Sequence, residues 1–447
     1  MSLQKPYRLN LISTNHRWLV AILLLALILR LAHTLPQERA TIYTDKGGDS
    51  WWYLEYGRLL VRGQEPAPPP SGPVYLIFVG LPQWVASPET AILIIRVIQA
   101  ALGSLTCYFA YRLAWRVSND ERTGLLASTV LAVSPVFVIE PNQILTETLY
   151  LCLLSAGMWL FIKLISTPDS AIRWHHPVLL GLILGLTTLT RAVLLMFPLI
   201  LALYLLVILN WRTTLKYALL MLIVYGITVS TWTVYNRVRW NQWVIGAQGF
   251  AAFLFIGASD QGWQGPQQTD AALAQQAGVD GALPTNPSDQ QQLYGNAALQ
   301  QIIGNLGGWV SHRTSELAAA VLQPYGTVYY PGESLKDLTA NWWRSDRTLQ
   351  GLVNLTKGDA FWAKLVIYIF HYAGLLLGII GMWLARRNWR ITLPLITLIF
   401  YTLVVHFVLD AIPRYLFPLD LFFWIFAVLT ITRWVGGFRI TSQSSLA

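Results

Sequence analysis

The chain has 447 residues, of which 55% are hydrophobic and only 12% charged, against roughly 25% charged in soluble domains. A soluble fold is excluded, because no water-facing surface can be built from so little charge. The net charge of +9 calls for no nucleic-acid partner, since it largely falls in short basic connections of the kind that anchor a membrane protein against anionic lipid.

Hydrocarbon roughly 30 Å thick takes about 20 apolar residues of helix to cross. The sequence supplies that pattern from end to end, which predicts an all-α polytopic membrane protein. The predicted spans begin with Arg17 to Leu35, Thr90 to Trp115, Thr123 to Ile139 and Ile144 to Ile165. Pro177 to Leu189, Ala192 to Leu209 and Leu215 to Tyr235 follow, and Phe361 to Ala385, Ile391 to Leu409 and Tyr415 to Trp434 complete about ten transmembrane helices. Reading the pair on either side of Thr190 and Arg191 as one broken helix gives nine. The first span lacks a small-residue cleavage site and runs on into a structured segment, so it reads as an uncleaved helix. Both cysteines, Cys107 and Cys152, fall inside spans, which indicates neither a disulfide framework nor a cysteine metal site.

Lysine and arginine in short loops stay cytoplasmic. With the N-terminus inside, the inner segments collect Lys5, Arg8 and Arg17, then Arg112, Arg116 and Arg122, Lys163 and Arg173, Arg212 and Lys216, Arg386, Arg387 and Arg390, and lastly Arg433 and Arg439. Ten spans keep every inner segment basic; nine would invert the second half. The expected location is the plasma (inner) membrane, multi-pass. Three stretches follow: an N-terminal transmembrane module, 1–235, with about seven spans and a first outer loop, 36–89; an extracytoplasmic loop region, 236–360; and a C-terminal module, 361–447, with about three spans.

The first outer loop holds Asp49 to Leu60, whose Trp52, Tyr56, Leu59 and Leu60 recur at helical spacing. This predicts a helix lying in the membrane interface, with its aromatics at headgroup depth. After the proline cluster of 66–73, Val74 to Val85 is a second, partly buried apolar segment. In the later loop, Gln261 to Gln292 reads as a flexible lid, whose composition fits gating of substrate and a plain surface insertion equally, and Leu293 to Leu322 as ordered helix. Tryptophans and tyrosines near span ends fit an anchoring belt better than a sugar platform.

Few residues can do chemistry, and they gather at the outer face. Asp49 follows Gly47 and Gly48 and opens the interfacial helix; it suits an N-cap, or a general base near the bilayer surface. Glu147 lies about one turn into the fourth span, where an unpartnered carboxylate is costly and functional or paired by default. Glu140, just outside it, fits a solvated loop charge and ranks second. Arg191 and Arg414 sit at outer span ends, where the charge pattern calls for no arginine. Snorkelling anchors, or a pair between Arg414 and Asp410, would explain them structurally. A guanidinium also grips phosphate oxygens in a permanent charged fork, so two of them outside point to a membrane-anchored phosphate. Arg96 and Arg30 are further candidates that structural pairing explains better. The histidines are dispersed and show no metal spacing. No cofactor is indicated, and a divalent metal is compatible but not called for.

Gly48-Asp49 followed by aromatics, Tyr56-Gly57, Leu59-Leu60 and Gly63 resembles the first outer loop of C-type glycosyltransferases, which use lipid-phosphate-linked sugars. Further landmarks come in the same order: Arg96, Ser134-Pro135, Leu145-Thr146-Glu147-Thr148, Gly185-Leu186 to Thr190-Arg191, Trp232 with Asn236, and Pro413-Arg414-Tyr415. They run along nearly the whole chain and look most like the branch of protein O-mannosyltransferases and aminoarabinose transferases. Ser50 stands where many relatives carry a second acidic residue, and Thr231 rather than proline precedes Trp232.

The resemblance implies a polyprenyl-phosphate sugar donor, a lipid, glycan or protein acceptor, and inverting transfer to a hydroxyl on the outer face. It also implies that Asp49 is the base. Arg191, Arg414 and Tyr415 are expected to hold the donor phosphate, with Glu147 orienting the acceptor or an arginine. Glu140, Arg96 and Asn236 are further members of the expected site. The alternative is a transporter or flippase of lipid-linked sugars, for which repeated halves and charge near the midplane are typical; here charge gathers at one face.

Overall fold

A computed structural model describes residues 14–39, 48–69, 71–167, 172–208, 211–259, 266–277, 283–284 and 286–444. The described regular structure is helical, α-helices joined by short 3₁₀ turns. Six described helices are long and apolar enough to cross a membrane, or up to seven if a bent pair is one span. The protein is a multi-pass membrane protein, and ten spans is an approximate count. The longer count divides Phe361–Val408 in two and adds the shorter helices His175–Thr190 and Phe197–Ile208.

The division of Phe361–Val408 follows from its contacts. Helices α1 to α20, numbered in chain order with the 3₁₀ turns left out, end in α18 (Phe361–Ala385), α19 (Trp389–Val408) and α20 (Pro413–Ser444). His371 of α18 faces Asp420 of α20 at 3.5 Å, and Arg433 donates to Leu384 O at 3.1 Å, so these two helices run parallel. Tyr401 of α19 donates to Val193 O at 2.6 Å and Tyr204 to Arg390 O at 3.2 Å, so α19 runs antiparallel to α10 (Phe197–Ile208). The chain reverses at Arg386–Asn388, where Asn388 also donates to Val117 O at 3.2 Å. A basic turn at that position is what the charge pattern demanded.

Proline breaks the third predicted span. α6 (Glu121–Val133) and the stretch Pro135–Asn142 meet at 64°. Pro135 lacks the N–H a continuous helix needs and pushes Ser134 to ψ 124°. The bent arm runs across the bundle end that carries Asp49. Arg96 donates to Asn142 O at 2.9 Å, and Gln99 donates to Pro141 O at 2.9 Å and Gln143 O at 2.6 Å. Three carbonyls of an irregular turn are thereby satisfied from α5 (Pro88–Ser118). Arg30, buried in α1 (Thr14–Thr34), donates to Ala26 O and Leu131 O and is structural.

The stretch predicted as a lid holds helices: α13 (Pro266–Ala277) and α14 (Pro287–Gly304) flank segments outside the described residues. α15 (Leu306–Leu322) is pinned at its middle and at its C-terminal end. Its buried Arg313 donates to Phe407 O at 2.8 Å and His406 O at 2.9 Å, so the guanidinium meets the negative end of α19. At the C-terminal end, Tyr372 donates to Leu322 O at 2.9 Å. Lys364, 1% exposed, donates to the carbonyls of Pro331, Gly332 and Glu333 at 2.6, 2.9 and 2.8 Å. Charge-assisted bonds contribute about 1.5–3 kcal/mol. Lys364→Met is therefore expected to release this turn, and limited proteolysis of the folded protein should show faster cleavage near residues 331–333.

Candidate active site

Asp49 is placed by a rigid platform. α2 (Asp49–Val61) packs on α3 (Pro73–Gly80) so closely that a Cβ on Gly57 would lie 2.6 Å from Leu76 O, and one on Gly80 2.3 Å from Gly57 O. Tyr53 of α2 meets Tyr75 edge to face at 5.1 Å, and Tyr75 donates to Gln99 Oε1 at 2.8 Å. Desolvation pushes the Tyr53 phenol up to about 12, so at neutral pH it is a donor. Gly48, with extended backbone, occupies the N-cap, and Asp49 is the first helical residue. The N-cap reading is thus corrected: the Asp49 carboxylate sits near the positive end of the helix and bonds elsewhere.

Its partner is Arg414, whose Nη1 donates to Asp49 Oδ2. The same guanidinium donates from Nε to Glu147 Oε1 at 2.7 Å, and Arg191 Nη1 donates to that oxygen at 3.1 Å. Asp410 is not the counter-ion of Arg414; its pKa is raised by its own burial. Glu147 is the first residue of α8 (Glu147–Ile165), not one turn inside it, and its side chain is 0% exposed. The side chains of Arg191, Arg414 and Asp49 are 12%, 19% and 62% exposed. Exposure thus rises from a buried carboxylate, through two guanidinium groups, to an aspartate at the mouth.

Arg191 owes its position to a broken helix. α9 (His175–Thr190) ends where Arg191 turns extended, at φ −145° and ψ 117°. Its guanidinium lies 5.5 Å from the Tyr150 ring and 5.2 Å from the Tyr415 ring. Tyr415 therefore contacts Arg191, and it also stacks on the His406 ring at 5.4 Å and 24° and meets Phe253 edge to face at 6.2 Å. His406 is held in turn by Asp410 O, 2.9 Å from its Nδ1.

The remaining expected members bond to other partners than this group. Glu140 is not a solvated loop charge: it is 1% exposed and accepts from Tyr329 at 3.1 Å. Arg96 is spent on the backbone of the bent arm and on Glu38 O. Asn236, fully buried, donates to Trp232 O at 2.8 Å within α11 (Trp211–Trp240). Two contributors went unread in the sequence, Tyr150 and His406. Tyr150 is three residues after Glu147 and so shares its helix face, a spacing that could have revealed it. Among the described residues no three His, Cys, Asp or Glu side chains are grouped as a metal site requires.

Comparison with known proteins gives the fold its place. Residues 78–245 match the family model described as dolichyl-phosphate-mannose-protein mannosyltransferase. The oligosaccharyltransferase of Archaeoglobus fulgidus, in its apo form, superposes with a TM-score of 0.56 at 13% identity, over 97% of this chain and 52% of that one. The fold is similar to that of this archaeal membrane enzyme. The same archaeal enzyme complexed with Zn and sulfate gives 0.51 at 12% identity, over 95% and 50% of the two chains. ArnT from Cupriavidus metallidurans, bound to undecaprenyl phosphate, gives 0.39 at 14% identity, over 96% and 80%. This chain spans about half the length of the archaeal enzyme. None of the curated proteins matches it. The C-type resemblance read from the sequence motifs is borne out.

Proposed function

We propose that the protein is a membrane glycosyltransferase that moves a sugar from a polyprenyl-phosphate donor to a hydroxyl acceptor, with inversion, on the extracytoplasmic face. The observation that carries this reading is the convergence of Asp49, Glu147, Arg191 and Arg414 from four separate parts of the chain. The family description, which names a lipid-phosphate-linked sugar, supports it.

As the structure stands, two guanidinium charges face two carboxylates. An incoming phosphate competes with Asp49 for Arg414, and the exposed aspartate is the partner free to leave; buried Glu147 keeps both arginines in register. Asp49 is thereby released beside the donor. The acceptor oxygen bonds to the anomeric carbon as the bond from that carbon to the phosphate oxygen breaks. The electron pair stays on the departing lipid phosphate and the hydroxyl proton passes to Asp49. Arg414 and Arg191 stabilise the charge that grows on the phosphate, so their contribution is larger in the transition state than in the ground state.

Asp49→Asn is nearly isosteric and keeps a hydrogen-bonding side chain at the mouth. It is expected to lower transfer by roughly a hundredfold or more, the scale of a lost general base, in protein that elutes as wild type on size exclusion. Turnover near wild type would remove Asp49 from this role. Sealed vesicles that move lipid-linked sugar across the bilayer without forming a glycosidic bond would support transport instead.

A further inference from the structure

A cleft outside the charged cluster carries chemistry that the transfer step does not use. α16 (Leu335–Ser345) and α17 (Leu349–Leu355) are joined by a tight turn at Arg347, whose φ is 43°, and enclose a cleft of about 320 Å³. One wall is Trp342. Its indole N–H donates to Thr348 O at 2.9 Å, so the ring is fixed before any ligand arrives. Around it stand Glu333, Asn341, Ser345, Asp346 and Asn354. Gly351 lies against this wall: a Cβ there would sit 1.9 Å from Asp346 Oδ2 and 3.0 Å from the Trp342 ring. Glycine weakens a helix interior, and here it lets the two helices meet without filling the cleft.

An aromatic face bordered by amides, carboxylates and a hydroxyl suits a sugar ring. The C–H face of the ring packs on the indole, while its hydroxyls, each donor and acceptor, find both roles in the side chains around them. Glu333 and Asp346 oppose an anionic ligand, and Leu338 and Leu355 supply an apolar floor beside the indole on which the C–H face of a sugar can rest. The cleft is also tied to the charged cluster. Lys364 holds the backbone of 331–333, and Tyr329 bonds Glu140 on the bent arm that leads into Glu147. Four residue steps separate Tyr329 from Glu333, a reach of at most about 14 Å.

We propose that this cleft binds carbohydrate and holds a sugar unit of a glycan acceptor. The acceptor role rests on the glycosyltransferase reading; sugar binding does not. The full chain in lipid nanodiscs, applied to an array of immobilised glycans, tests it. Wild type and Asp49→Asn are expected to bind the same glycans, and Trp342→Ala to lose about tenfold or more in apparent affinity, as for a truncated aromatic contact. Because Trp342 also braces the turn, Asn341→Ala combined with Asn354→Ala, both exposed side chains, gives a second arm with the packing intact and a comparable expected loss. Capture of no glycan, equal capture by every variant, or capture of arrayed peptides in place of glycans overturns the proposal. If glycans bind through the cleft but no sugar is transferred, the cleft stands and the transferase reading falls.

Discussion

Arg414→Ala is expected to lower sugar transfer by roughly a hundredfold or more while the protein still assembles. Both halves of that expectation come from the same geometry. Glu147 keeps Arg191 at 3.1 Å after the substitution, so its buried charge stays compensated, and the largely exposed Asp49 needs no partner to remain in water. What is lost is the group that touches both carboxylates, and with it the charge that meets the leaving phosphate. Lysine is not a substitute, because one ammonium lacks the planar fork that reaches Glu147 and Asp49 together. Arg414→Lys should therefore remain well below wild type. Turnover of a polyprenyl-phosphate sugar, measured beside a size-exclusion profile, checks the pair of claims; an active Arg414→Ala protein would show that the phosphate is held elsewhere.

Glu147→Ala is expected to damage stability rather than chemistry alone. Its carboxylate is fully buried and bonds both guanidinium groups, which are themselves mostly buried. Removing one partner of a buried ion pair costs roughly 3–5 kcal/mol, because the charge left behind has lost its solvent and its counter-ion. Arg414 would retain Asp49, whereas Arg191, among the described residues, would keep the faces of Tyr150 and Tyr415 but no carboxylate. Thermal unfolding in detergent should show a clear drop in transition temperature. The double variant Glu147→Ala with Arg191→Met should recover part of it, since the orphaned charge is then gone. A Glu147→Ala protein that unfolds with wild type would mean the cluster does not hold this end of the bundle.

The residues of the charged cluster were legible because their charges break a rule. Arg191 and Arg414 stand where short connections should lack arginine, and Glu147 lies in an apolar run. Their pairing was not legible, since Arg414 reaches Glu147 across 267 positions and Asp49 across 365, and no local pattern records such contacts. The alternative pair of Arg414 with Asp410 was the nearer one in sequence, and folding did not choose it. Glu140 was misjudged for a related reason: beside Pro141 it looks like a loop charge, and only the bend at Pro135 and the return of Tyr329 bury it. Span ends drifted where proline or a polar cap intervened, as at Ser134 and Thr146. The basic turn at Arg386–Asn388, by contrast, was readable from charge although hydropathy alone runs straight through it.

The central claim is that the two arginines hold an anionic lipid headgroup and that its arrival frees Asp49. Electron cryomicroscopy of the protein in nanodiscs, with and without an added polyprenyl monophosphate, tests this most directly. The account predicts phosphate density between Arg191 and Arg414, with Asp49 turned away from Arg414 and Glu147 still bonded to both guanidinium groups. Phosphate density elsewhere in the molecule, with the pair of Arg414 and Asp49 intact, would contradict it.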